Sequence, residues 1–117
     1  MQTIQNNLND LNSLVLSGKA MEAFEKYYAE NVVMRENENN PTVGKDANRK
    51  REMEFFSKIT EFRNAEVKEI SFSGNTSFVV WKYDYTHADW GVRNYTQVSV
   101  QKWENGKIIH EQFFYGN

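Results

Sequence analysis

A chain of 117 residues is the size of one folded domain, and residues 1–117 are read as such. Its 14 Lys and Arg against 16 Asp and Glu leave a formal charge of −2, which argues against nucleic acid or an anionic membrane as partner, since both require a basic surface. The absence of Cys removes disulfides, thiolate zinc sites and cysteine nucleophiles, and 2 His are too few for a histidine-rich metal centre, so neither metal nor cofactor is expected. Against this polar background 15% of the residues are aromatic, more than a disordered chain carries. The question is what those rings enclose.

Residues Met1 to Asn12 lack the basic and continuous apolar segments of a secretory signal. Apolar runs such as Phe78-Val79-Val80-Trp81 are strand-sized, well short of the roughly 20 residues a membrane helix needs, so a cytoplasmic protein is expected. Ile4, Leu8, Leu11 and Val15 recur at helical spacing, and Ser17-Gly18 ends that helix. A second short helix carries Met21, Phe24, Tyr27 and Tyr28 on one side, followed by a short strand at Val32-Val33-Met34. Glu36 to Gly44 is turn-rich, holds the one proline and reads as a loop.

Asp46 to Thr60 predicts a third helix with Ala47, Met53, Phe56 and Ile59 inward and a Glu54–Lys58 pair outward. Its basic run Arg49-Lys50-Arg51, diluted by Asp46, Glu52 and Glu54, reads as a solvated face. Strands follow at Val67–Ser73, Ser77–His87, Val92–Glu104 and Lys107–Tyr115, with turns at Gly74-Asn75 and, as a type I′ hairpin, at Asn105-Gly106. The order α-α-β-α-β-β-β-β segregates helices from consecutive antiparallel strands, an α+β architecture. No Gly-rich phosphate loop or βαβ unit is present, which argues against dinucleotide or ATP binding.

Strand alternation sorts side chains into two sets. Val79, Trp81, Tyr83, Tyr85 and His87 oppose Phe78, Val80, Lys82, Asp84 and Thr86. Tyr95, Gln97, Ser99, Gln101 and Trp103 oppose Thr96, Val98, Val100 and Lys102, and Ile109, Glu111, Phe113 and Tyr115 oppose Ile108, His110, Gln112 and Phe114. Neither face is purely apolar, as when one lines a part-polar pocket and the other meets a second subunit. A one-residue bulge would flip an assignment.

The element order and three local segments resemble the NTF2-like superfamily and, within it, the SnoaL-like, ketosteroid isomerase-related branch. The segments are Tyr27-Tyr28-Ala29-Glu30-Asn31-Val32-Val33, Pro41-Thr42-Val43-Gly44-Lys45 and Trp103-Glu104-Asn105-Gly106-Lys107-Ile108-Ile109, with Tyr115 matching the family's aromatic ending. The resemblance spans essentially the whole chain. It implies a cystatin/NTF2-like, cone-shaped, strongly curved antiparallel sheet covered by helices around a small-molecule pocket, and a homodimer through the outer sheet face. It leaves activity open, because the fold hosts isomerases, cyclases, dehydratases, hydrolases and non-catalytic binding proteins.

Superposition on the family's last hairpin turns the odd-numbered set inward. The expected pocket lining is Trp81, Tyr83, Tyr85, Gln97, Ser99, Gln101 and Tyr115, with Glu111 among them. Ketosteroid isomerase-type chemistry needs a carboxylate base and donors at the developing enolate oxygen. The family's base position falls at Glu36, with Asn37 as the competing assignment. Its donor positions fall at Leu11, which cannot donate, and at Ser99, whose hydroxyl is short and weakly acidic. Glu111, in a partly apolar surround, serves as general acid or pairs with a buried Tyr or Gln. His87, at a strand end near the pocket rim, serves as proton shuttle or as a turn histidine. Two functions follow. One is a cofactor-independent isomerase or polyketide cyclase-type enzyme acting on a small apolar or aromatic carbonyl compound, with Glu36, Glu111 and His87 as catalytic candidates. The other is a non-catalytic small-molecule binding or dimerisation module.

Overall fold

The computed structural model describes residues 2–116. α1 (Gln2–Leu16) buries Ile4, Leu8 and Leu11 as their spacing requires. It ends in a Schellman-type cap: Gly18 takes a positive φ of 78° and the Lys19 N–H donates to the Leu14 carbonyl at 2.8 Å. α2 (Ala20–Tyr27) buries Ala23, Phe24 and Tyr27. Tyr28 leaves the helix and opens β1 (Tyr28–Glu36), a strand that runs beyond the expected Val32–Met34 at both ends. Inside the predicted Pro-containing loop, Thr42–Val43 form a two-residue strand, β2, paired with Val33 and Met34.

α3 (Lys45–Ser57) ends before Thr60, and its buried face differs from the expected one. Lys45 and Asn48 are buried, whereas Met53 is 55% exposed, Ala47 faces solvent and Phe56 sits at the edge. The reason is chemical. The Asn48 amide donates to the carbonyls of Gly44 at 2.8 Å, Thr42 at 3.0 Å and Val32 at 3.4 Å, so a polar side chain pins α3 to β1 and β2 where hydrophobic periodicity asks for an apolar one.

β3 (Ile59–Ser73) starts eight residues before the predicted Val67 and pairs with β4 (Thr76–His87) through three register shifts. Those bulges break the alternation that would reveal the strand and sharpen its twist. β3 is an edge strand, and Glu61, Arg63, Glu66, Lys68 and Glu69 keep it charged and exposed. β5 (Gly91–Glu104) and β6 (Lys107–Tyr115) complete a six-stranded open sheet of order β2-β1-β6-β5-β4-β3. The β1–β6 pair is parallel and every other pair antiparallel, so the curved sheet is mixed. The β5–β6 turn uses Asn105 and Gly106, both at positive φ, as a type I′ turn demands.

Alternation sends Ser77, Val79, Trp81, Tyr85 and His87 of β4 and Gln97, Ser99, Gln101 and Trp103 of β5 to the buried face under the helices. A register shift between Lys102 and Trp103 sets Ile108 opposite Trp103, so Ile108 joins the core and not the outer face where simple alternation puts it. No described helix is long and apolar enough to cross a membrane.

Candidate functional site

The concave side holds two spaces, and α3 lies between them. An inner cavity of about 100 Å³ is walled by α1, α2 and the buried sheet face, including Phe24, Tyr28, Trp81 and Phe113. An outer cleft of about 430 Å³ opens between the ends of β1, β4 and β6 and the other side of α3. Helical geometry makes the division: Arg51, Glu54, Phe55 and Lys58 line the outer cleft, while Glu52 and Phe56 line the inner cavity.

The predicted site residues divide accordingly. Trp81, Tyr83, Gln97, Ser99, Gln101 and Glu111 line the inner cavity. Glu36, His87 and Tyr115 line the outer cleft. Tyr85 lines neither; it is buried, its hydroxyl shares a 2.7 Å hydrogen bond with that of Tyr95, and its ring meets the edge of Phe55. The three expected catalytic groups therefore do not converge.

Glu111 sits at the end of a buried hydrogen-bond chain with one direction throughout. Trp103 Nε1–H donates to Ser77 Oγ at 2.9 Å, Ser77 donates to Gln101 Oε1 at 2.7 Å, and Gln101 Nε2 donates to Glu111 Oε2 at 2.8 Å. Tyr28 Oη donates to Oε1. Each donor has one acceptor, so the chain fixes the Gln101 amide orientation and delivers two hydrogen bonds to a carboxylate that is only 2% exposed. Burial pushes the Glu111 carboxyl up to about 7, against the pull of Tyr28 and Gln101 and with the help of nearby Glu52. The Glu52 carboxyl is likewise raised to about 7, by burial first, with Arg51 opposing and Glu36 reinforcing. Burial and the adjacent Glu111 hold the Tyr28 and Tyr83 hydroxyls well above the ordinary phenol range, so both remain donors at neutral pH.

In the outer cleft both Glu36 oxygens are engaged, one by Arg51 and one by the Tyr115 hydroxyl. Asn37, the competing base assignment, is structural. Its side-chain oxygen accepts the Tyr115 N–H at 2.9 Å and its carbonyl accepts from Gln112 at 2.7 Å, with the Asn37 backbone at φ 51°. His87 is buried beneath Trp90, the rings stacked at 3.8 Å and 11°, with Phe55 stacked at 5.6 Å. Its Nδ1 accepts the Asp89 N–H at 3.2 Å, which leaves Nε2 to carry the proton of the neutral ring.

Arg51 and Glu52 were not singled out from the sequence. Arg51 is not part of a solvated basic face: it reaches Glu36 and, at 3.4 Å, Glu52. The signal available was the spacing Lys45, Asn48, Glu52, Phe56, which repeats every three to four residues but is mostly polar.

Solved structures share this fold. A candidate SnoaL-like polyketide cyclase from Mesorhizobium loti is 25% identical and superposes with a TM-score of 0.86 over 96% of this chain and 98% of that one. A candidate isomerase from Bacillus subtilis is 15% identical, with a TM-score of 0.78 over 98% of this chain and 87% of that one. A Xanthomonas campestris protein of unknown function with a cystatin-like fold is 11% identical, with a TM-score of 0.85 over 97% of this chain and 91% of that one. No curated protein matches the chain. The model of the SnoaL-like domain matches residues 2–115, nearly every position from α1 through β6, and the chain accordingly belongs to the SnoaL-like domain family.

Proposed function

We propose that the protein binds a small apolar or aromatic carbonyl compound in the inner cavity and transfers a proton next to the carbonyl, as a cofactor-independent isomerase or polyketide cyclase-type enzyme. The observation that carries this reading is Glu111, a carboxylate buried among rings yet facing an internal space. Loss of water makes such a group a stronger base, and a pKa of about 7 matches it to proton transfer at neutral pH. The Mesorhizobium loti structure, described as a candidate polyketide cyclase with carbohydrate phosphatase as a second name, supports this reading by the first of its two names. Glu111, whose two donors are neutral, serves as base in preference to Glu36, whose carboxylate forms an ion pair with Arg51.

The inner cavity has room for about three water molecules, below the roughly 300–1,000 Å³ of drug-sized sites, so it selects a compact compound. The test is solvent exchange: in D2O, ¹H NMR follows loss of the α-proton signals of small cyclic ketones. Wild-type protein accelerates exchange and Glu111→Gln does not; equal rates for the two proteins sink the assignment.

Leu11 and Ser99 support the second reading, a non-catalytic binding module. Both face the inner cavity at the family's donor positions without supplying a strong donor. Binding of the ketone without exchange in any variant selects this reading. We also infer a homodimer through the outer sheet face, where Phe78, Val80, Val98 and Val100 lie beside Phe114, itself 39% exposed.

A further inference from the structure

We propose that Glu52 and Glu111 act as a pair across the inner cavity: Glu111 takes the proton from the carbon beside the carbonyl while Glu52, protonated, gives its proton to the carbonyl oxygen. This rests on the reading above, that the inner cavity holds a carbonyl compound and Glu111 is the base. It adds a carboxylic acid donor at the oxygen, beside the Tyr83 hydroxyl, and places that donor on α3, where the resemblance assigns no role.

Two observations support the division of labour. Both side chains line the same small cavity, Glu111 from β6 and Glu52 from α3, so one compact ligand touches both. Their hydrogen-bond environments are unequal. Glu111 accepts on both oxygens, from Tyr28 and from Gln101, the pattern of a carboxylate. Glu52 has a single long contact, 3.4 Å to Arg51, whose other terminal nitrogen is committed to Glu36. Of two carboxyls lining one small cavity, the one with fewer donors keeps the proton, because two negative charges in a low-dielectric space are costly.

The charged and titratable groups around the pair favour one shared proton. Glu111 shares the inner cavity with Tyr28 on β1, Tyr83 on β4 and Glu52 on α3, and feels the charge of Arg51 from the far side of that helix. Glu52 faces Arg51 on its own helix and Glu36 on β1, whose charges oppose one another. Arg51, bonded to Glu36 and Glu52, does not neutralise these two carboxylates and Glu111 together.

The step balances without a co-reactant. The α C–H bond breaks, its proton passes to Glu111, and the electron pair forms the C=C bond of an enol. The carbonyl π pair takes the Glu52 proton as O–H. With a β,γ-unsaturated ketone the enol is a conjugated dienol: its collapse returns the oxygen proton to Glu52, the Glu111 proton adds to the γ-carbon, and the β,γ double bond shifts to the α,β position, giving the conjugated isomer and restoring both groups.

The test uses 3-cyclopenten-1-one as probe, with isomerisation to 2-cyclopenten-1-one followed by NMR across pH 4–9. The wild-type profile is bell-shaped, the rising limb reporting a base and the falling limb an acid that belong to the pair. Glu52→Ala lowers the rate by about 10²-fold or more. Glu52→Gln keeps a donor but has no acidic proton, so it loses the falling limb. ¹³C NMR titration of labelled glutamate carboxyls supplies a readout independent of turnover: Glu52 titrates above Glu111, and Glu111→Gln, which removes the neighbouring negative charge, moves the Glu52 midpoint downward. If Glu52→Ala leaves rate and falling limb unchanged while Glu111→Gln abolishes turnover, or if the Glu52 midpoint does not move in Glu111→Gln, the pair is overturned and the base stands. If Glu111→Gln has no effect, or wild-type protein does not turn over the probe, the underlying reading falls and the pair with it.

Discussion

Tyr28 and Glu111 lie 83 positions apart in sequence, yet the Tyr28 hydroxyl donates directly to the Glu111 carboxylate inside the protein. The parallel pairing of β1 with β6 makes the contact, setting Tyr28 beside Ile108 and Met34 beside Glu111 with a register shift between them. Tyr28→Phe keeps the ring and removes the donor. A hydrogen bond to a charged buried group contributes about 1.5–3 kcal/mol, and its loss moves the Glu111 pKa further up. Urea unfolding at pH 8 gives the first quantity and carboxyl NMR titration the second. An unchanged Glu111 midpoint contradicts the assigned contact.

Stability should fall as pH rises from about 4.5 to about 7. The Glu111 carboxyl is raised in the folded state, so over that window the folded protein holds a proton that the unfolded chain has released. The stabilisation is complete below the unfolded pKa and is lost as pH rises through the folded one. Glu111→Gln should remove most of this slope, a relative change of about 2–3 kcal/mol between pH 4.5 and pH 8. Glu52, with 19% of its side chain exposed, contributes less in the same direction. The lowered pKa values of Asp10, Glu25 and Asp89 act at more acidic pH; the His110 imidazole, lowered by burial and by Lys102 and Arg35, adds an opposite slope inside the window, equal in both proteins, so the difference between them isolates Glu111. Chemical denaturation of both proteins at several pH values measures the difference. Parallel pH curves for the two refute it.

Asn48 is fully buried and holds three strand and turn carbonyls against α3. Asn48→Ala leaves these acceptors without their donor and should cost about 1–3 kcal/mol, seen as a lower denaturation midpoint with an unchanged m-value. Asn48→Asp should not rescue it, because a carboxylate offers no N–H and adds a buried charge. A midpoint within error of wild type for Asn48→Ala shows that these contacts do not position the helix.

Much of the fold was legible because its signals are local. The α1 face follows from Ile4, Leu8 and Leu11, the last hairpin from Asn105-Gly106, and the buried sides of β4 and β5 from alternation around Trp81 and Ser99. The missing pieces lack a local hydrophobic signal. Bulged pairing disguises Ile59 to Glu66 as a polar coil, and the buried face of α3 is built on Lys45, Asn48 and Glu52, residues that periodicity assigns to solvent. Division of the site into two spaces was not legible either. It depends on sheet curvature and on which side of α3 each residue takes, so Glu36 and Glu111 read as partners although they face different spaces.

The inferred dimer is testable at the outer face. Val98 and Phe114 pair across β5 and β6, so Val98→Glu puts a charge at the centre of the apolar patch. Sedimentation at micromolar concentration should give a dimer for wild type and a monomer for Val98→Glu. A monomeric wild type contradicts the inference.

The central claim is that the base faces the inner cavity and is Glu111. Ketone exchange measured side by side for Glu111→Gln and Glu36→Gln tests it most directly. The account predicts a loss of about 10²-fold or more for Glu111→Gln and less than about tenfold for Glu36→Gln. The reverse order, with Glu36→Gln inactive and Glu111→Gln close to wild type, would contradict it and move the chemistry to the outer cleft.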